Sequence, residues 1–297
     1  MQGRAADVEP TRRLTAQPVT AAVCEHAEGP VWDARDGVLR FVDMVRGDVM
    51  TLTPGGELTR THVADVVAAL RPRRNGGWVL ALGRALAVTD PGSWTPRRIA
   101  EVVADPAIRF NDGGCDAAGG FLCGTMAYDQ SSGAGTLYRL APDGSVAVVL
   151  EGLTISNGFC LDRSGELAYF VDTPTGRVDV LDVGPDGRTL ACRRPFVTIE
   201  AGAGWPDGLT VDGEGGVWVA LYGGGAVRRY LPDGRLDTIV EVATREVTAC
   251  AFGGPELRDL YITTSQERRR PPDDPLAGAL FHVVPGPPGL PPRPYSG

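Results

Sequence analysis

Four oxygen-bearing side chains recur at one offset in this 297-residue chain. Glu28, Asn111, Asn157 and Asp207 each stand five residues before a turn aspartate (Asp33, Asp116, Asp162 and Asp212), in the segments EGPVWD, NDGGCD, NGFCLD and DGLTVD. If these segments are equivalent strands of a rotationally symmetric fold, the four side chains lie at one height and radius and face each other across an axis. Two carboxylates and two carboxamides gathered away from water are costly unless their charge is compensated, and a divalent cation compensates it. The donors are all oxygen, which selects a hard ion such as Ca²⁺, Mg²⁺ or Mn²⁺ over a structural zinc site. So few protein ligands leave positions open for water or substrate. Arg109, two residues before Asn111, projects to the same side in an extended chain and is placed to orient an oxygen-rich substrate. Taken singly, Asn157-Gly158, Asp207-Gly208 and Asn111-Asp112-Gly113 each read as turn formers. The shared offset is what makes the set a candidate site, while the turn aspartates themselves read as structural.

The elements that must carry these residues are short strands. The runs LRFVDM (39–44), WVLAL (78–82), FLCGTM (121–126), LAYFVDT (167–173), VWVALY (217–222) and LYITT (260–264) recur at ~40–50 residues, a period expected of propeller blades. Hairpin segments follow, among them GTLYRLAPDG (135–144) and GAVRRYLPDG (225–234), in which proline presets the first turn dihedral and glycine supplies positive φ. The equivalent in the second repeat, RALAVTDPG (84–92), is degenerate. An all-β fold of six four-stranded blades closed in a ring accounts for this long period, whereas a β-sandwich does not. One segment, VADVVAAL (63–70), reads as a helix. Residues 1–18 read as a polar extension before a single propeller domain over 19–297. The stretch 266–275 reads as an exposed loop and the proline-rich 285–294 as an extended tail. Trp32, Trp78 and Trp218 read as core, and Trp205 as a pocket wall. The three histidines read as structural or surface groups, with His26 set apart because it lies two residues from Glu28.

Composition removes other chemistries. There is no lysine, so all 29 basic residues are arginine, and there are three histidines. Schiff-base chemistry, pyridoxal phosphate attachment and a GxxxxGK[ST] phosphate loop all need an amine and are excluded. A formal charge of −8 with no basic stripe argues against nucleic acid. No apolar signal region or run of about 18 apolar residues is found, so a cytoplasmic protein with no membrane partner is expected. In that compartment Cys115, Cys123, Cys160 and Cys250 are expected as buried free thiols. Without an obvious apolar surface stripe, a monomer is expected.

At these residues the chain resembles the regucalcin and gluconolactonase family, also called the senescence marker protein family, which includes luciferin-regenerating enzymes. The likeness runs from about residue 20 to the C-terminus. It is carried by AEGPVWD with FVDM after it, RFNDGGCDAAGGFLCGTMAYD, ISNGFCLDRSGELAYFVDT, WPDGLTVDGEGGVWVALYGGGAVRRY, TACAFGGPELRDLYITT and PLAGALFHVVPGPPGLP. The resemblance implies a six-bladed β-propeller with one divalent metal in its central channel, held by Glu28, Asn157 and Asp207. It also implies substrate contacts from Arg109 and Asn111 and, after the GTMA motif, from Asp129. The sequence departs from many relatives at Cys160-Leu161, where those carry a tryptophan-serine pair. The implied activity is hydrolysis of a sugar lactone by metal-activated water, with Asp207 as general base. Another ester hydrolase or lyase reaction on a specialised metabolite, or a non-catalytic calcium-binding propeller, stays open at this level, as does the ion (Ca²⁺, Mn²⁺, Mg²⁺ or Zn²⁺).

Overall fold

Each recurring run is flanked by a more polar partner, and the burial of the strands grades from the inside of each sheet to its edge. The computed structural model describes residues 11–268 and 272–297. In it six antiparallel sheets stand as blades round a central channel. Blade 1 is Ala27–Asp33, Val38–Asp43, Asp48–Leu52 and Leu58–His62. Blade 2 is Val67–Pro72, Trp78–Leu82, Ala85–Val88 and Arg97–Glu101. Blade 3 is Ile108–Cys115, Phe121–Ala127, Gly135–Leu140 and Val146–Leu153. Blade 4 is Ser156–Leu161, Leu167–Asp172, Arg177–Val183 and Leu190–Thr198. Blade 5 is Trp205–Val211, Val217–Tyr222, Ala226–Tyr230 and Leu236–Glu241. Blade 6 takes Val247–Gly253, Asp259–Thr264 and Phe281–Val283 from the C-terminal part of the chain.

The fourth strand of blade 6 is Gln17–Pro18, paired to Phe281–Val283, so the ring is closed by the two ends of the chain. Arg12–Thr15 adds a parallel fifth strand to blade 5. The expected extension over 1–18 is therefore corrected in its last part: Arg12, Arg13, Thr15 and Gln17 stay exposed on outermost strands, while Leu14 and Ala16 pack against the core. Residues 1–10 lie outside the described residues. The expected helix at 63–70 does not form. Val67–Pro72 is the innermost strand of blade 2, and Val67, Ala68, Ala69 and Leu70 are covered on both faces, which removes the alternation that marks a one-sided strand.

The recurring apolar runs are the second strands of the blades, and the segments with the candidate residues are the innermost strands. Every innermost strand breaks register with its neighbour near its start: between Glu28 and Val31, Val67 and Ala69, Phe110 and Gly113, Ser156 and Phe159, Pro206 and Leu209, and Val247 and Ala249. These are β-bulges, which leave residues unpaired and re-aim their side chains. The Asn-Gly and Asp-Gly pairs thus make bulges inside strands instead of the turns they suggest singly. Glycine follows because inner strands crowd at the axis: a Cβ on Gly158 would lie 2.7 Å from the Asp207 carbonyl oxygen, and one on Gly208 2.5 Å from the Ala249 Cβ.

Apolar clusters fill the space between blades, with Trp218, Phe110, Phe121 and Phe281 among the fully buried side chains. Trp32 and Trp78 are buried too. All six cysteines are free thiols, and of the four expected inside, Cys160 is only partly covered. The C-terminal segment is a strap across the end of the ring where the innermost strands finish. Gly289 N donates to Leu257 O, Gly213 N to Pro288 O, Tyr295 N to Pro72 O and Ser296 N to Gly119 O. Tyr295 is buried, its hydroxyl donating to Ala141 O at 2.8 Å.

Candidate active site

The bulges aim their side chains into a cavity of about 490 Å³ at the other end of the channel, where the innermost strands begin. Glu28, Arg109, Asn111, Asn157 and Asp207 all line it and all are buried. Blades 1, 3, 4 and 5 supply these groups. The bulge positions of the remaining two are silent: blade 2 has Ala68, and in blade 6 the Thr248 hydroxyl is already engaged with Ala27 O at 2.6 Å and Thr263 Oγ1 at 2.8 Å.

Arg109 is held from its own strand and roofed by an aromatic ring. Its Nη1 donates to Asn111 Oδ1 at 2.8 Å and to Phe110 O at 2.9 Å, and the guanidinium lies 5.7 Å from the Tyr128 ring centre. Asn111 Nδ2 donates to Ser156 O, and Asn157 Nδ2 to Thr173 Oγ1, each at 3.1 Å. Asn111 is thereby fixed with its Oδ1 to Arg109 and its Nδ2 to a carbonyl, whereas Asn157 meets a hydroxyl, which can donate or accept. Asn157 Oδ1, Asp207 Oδ1 and Arg109 Nε are buried without a hydrogen-bond partner among the described residues. Buried polar atoms are ordinarily paired, so three orphans in one cavity mark a place where something else binds.

The electrostatics agree. Burial, with the Asp112 charge as second cause, pushes Glu28 up to about 8. Burial, then Glu28 and Asp112, raises Asp207 well above the usual carboxylate range, and the Asn157 amide opposes this. Asp112, next to Asn111, is a third buried carboxylate absent from the expected set; its Oδ1 accepts from Gly113 N at 2.7 Å and lies 3.8 Å from Arg71 Nη2. Burial also lowers the Arg109 guanidinium. The cavity floor is short of positive charge. Two carboxylates and an amide with free oxygens suit a hard divalent ion better than a soft one. No group of three His, Cys, Asp or Glu side chains among the described residues is placed to hold a metal.

Asp129 is not brought in. Its carboxylate faces solvent, where Oδ1 accepts from Ser131 N at 2.9 Å and Ser131 Oγ at 2.6 Å, and Tyr128 takes the place over Arg109. The local reason is the tight turn after Ala127, which spends Asp129 as a turn cap. Trp205 walls the cavity, half exposed, and His26 lines it with Nδ1 2.8 Å from Ser265 Oγ. His62 and His282 lie elsewhere, against Asp48 and Asp259. Tyr222 and Glu267 also line the cavity. Sequence reasoning passed over Glu267 because it lies after the last recurring strand, with no counterpart in other blades.

Comparison with known proteins bears on this arrangement. Residues 26–266 match the SMP-30/Gluconolactonase/LRE-like region. The chain is 35% identical over 286 residues to a regucalcin of Danio rerio, spanning 92% of this chain and 95% of that protein. It is 34% identical over 255 residues to the pentonolactonase XacC of Haloferax volcanii, covering 85% of this chain and 86% of that one. Its backbone superposes with a TM-score of 0.90 on a calcium-binding protein, regucalcin, from Agrobacterium tumefaciens, at 25% identity over 97% of this chain and 99% of the other.

Proposed function

Because the chain belongs to the SMP-30/gluconolactonase/LRE-like family, we propose that it is a metal-dependent lactonase that opens a sugar lactone at the cavity lined by Glu28, Arg109, Asn111, Asn157 and Asp207. The observation that carries this reading is the set of orphaned buried atoms, Asn157 Oδ1, Asp207 Oδ1 and Arg109 Nε, facing one cavity. Glu28, Asn157 and Asp207 would hold one divalent ion, which would supply Lewis acidity toward a ring carbonyl and toward water. Asp207 accepts the proton of the attacking water and returns it to the ring oxygen as the acyl–oxygen bond of the ring breaks. Arg109, fixed by Asn111 and Phe110, turns its remaining N–H donors toward the cavity and orients the substrate by its ring and hydroxyl oxygens. Asn111 fixes Arg109 and caps the far side of the cavity. Trp205 and Tyr128 present faces to the carbon skeleton of a sugar and exclude water from it.

The names of the relatives support this reading, since one is a pentonolactonase. The test is proton release from a panel of aldono-1,4- and 1,5-lactones with each of Ca²⁺, Mn²⁺, Mg²⁺ and Zn²⁺. At least one lactone is hydrolysed with saturation and metal dependence. Stoichiometric calcium binding with no hydrolysis of any lactone would favour a calcium-binding propeller without catalysis.

A further inference from the structure

A third acidic side chain lines the cavity beside Glu28 and Asp207. Glu267 follows Asp259–Thr264 on a segment stitched to its surroundings: Ser265 N donates to Glu246 O, Gln266 N to Glu25 O, and Glu267 N to Ser265 Oγ at 3.0 Å. Its Oε2 accepts from Tyr222 Oη at 3.3 Å and lies 3.6 Å from His26 Nδ1. Its other oxygen makes no hydrogen bond among the described residues, and 43% of the side chain is exposed. The neighbouring Arg268 guanidinium sits 5.3 Å from the Tyr222 ring centre. Tyr222 therefore braces two charges of opposite sign at the rim. Glu267 and Arg109 both line the cavity.

We propose that Glu267 is the specificity-determining residue of this pocket, the acceptor for substrate hydroxyls on the wall facing Arg109, so that the site selects neutral polyhydroxylated lactones over those bearing a free carboxylate. The inference rests on the lactonase reading above. An ionised carboxylate is acceptor-only, so its free oxygen calls for a donor, and hydroxyl groups supply one. A substrate carboxylate there meets Glu267 at close range, while the ion of the lactonase reading takes up the charge of Glu28 and Asp207; among the described residues Arg109 and Arg268 oppose Glu267. Asp129 does not share the role because it lies outside the cavity lining, with its Oδ1 held by Ser131.

The test compares glucono-1,5-lactone with glucaro-1,4-lactone, which retains a carboxylate, on the full-length protein and on Glu267→Gln, alongside calorimetric titration with Ca²⁺ alone. In the variant kcat/KM for the neutral lactone falls about tenfold or more, the loss of a hydrogen bond to a charged group. The preference over glucaro-1,4-lactone shrinks, and calcium affinity is unchanged. Tyr222→Phe, which removes only the brace, shifts the preference the same way by less. An unchanged preference in Glu267→Gln overturns the proposal, as does a loss of calcium affinity, which would make Glu267 part of the ion site. If the wild-type protein opens neither lactone, the lactonase reading falls separately. Binding of the unreactive gluconolactam then decides the role of Glu267: tenfold weaker binding to Glu267→Gln supports it, and equal binding overturns it.

Discussion

The two ends of the innermost strands carry the same kinds of side chain and treat them oppositely. At the finishing end, Asp212 accepts from Glu214 N and Gly216 N at 2.9 Å, from Trp218 Nε1 at 2.8 Å and from Arg229 Nε at 2.7 Å. Asp116 is held by Gly120 N at 2.7 Å and Arg139 Nε at 2.5 Å, and Asp33 by Arg40 Nε at 3.0 Å. Five residues earlier, Asp207 and Asn157 keep buried oxygens with no partner, and their strands bulge to point them inward. Residue type and burial are alike at both ends, so neither distinguishes architecture from chemistry. Completeness of pairing does: the satisfied aspartates lock blade hairpins, and the unsatisfied ones wait for a ligand.

The contrast can be broken by exchanging which end is damaged. Asp207→Asn is expected to lower lactone turnover by about 10³- to 10⁴-fold, the range of a lost general base. Its urea midpoint without metal stays equal or rises, because the substitution removes a buried carboxyl whose charged form burial already disfavours. Asp212→Asn is expected to do the reverse. Removing the charge from beneath Arg229 and the acceptor from Trp218 costs about 3–5 kcal/mol in urea unfolding, while turnover per folded molecule stays near wild type. A mild Asp212→Asn together with an unfolded Asp207→Asn would abolish the distinction.

Much of this arrangement is legible in the sequence, and the gaps have physical causes. The blade period shows because each repeat must turn, cross and turn again, and three of them do so with Pro-Asp-Gly, at 142–144, 185–187 and 232–234. The candidate site shows because four of six blades kept an oxygen donor at one offset. The bulges do not show, since Asn-Gly and Asp-Gly carry the same local signature in a turn and in a bulged strand. Asp129 misleads because sequence likeness carries a residue but not the turn that consumes it. Glu267 is hidden because it stands outside the repeat. The strap looks like a loose tail because prolines donate no hydrogen bonds; it docks through the N–H groups of Gly289, Tyr295 and Ser296 and through carbonyl oxygens.

The strap sharpens the comparison at its gentler limit. Tyr295→Phe removes one hydrogen bond at the finishing end and is expected to cost about 1 kcal/mol in urea unfolding, with KM for the best lactone unchanged. A shift in KM would show that the closed end of the channel communicates with the open one.

The proposed lactonase activity requires a divalent cation at the unsatisfied end. Metal-stripped protein titrated with Ca²⁺, with heat and lactone turnover followed together, tests it most directly. Binding of one ion per chain with turnover rising in proportion is the expected result. Full turnover in the stripped protein, or saturation at one ion with no change in turnover, would contradict it.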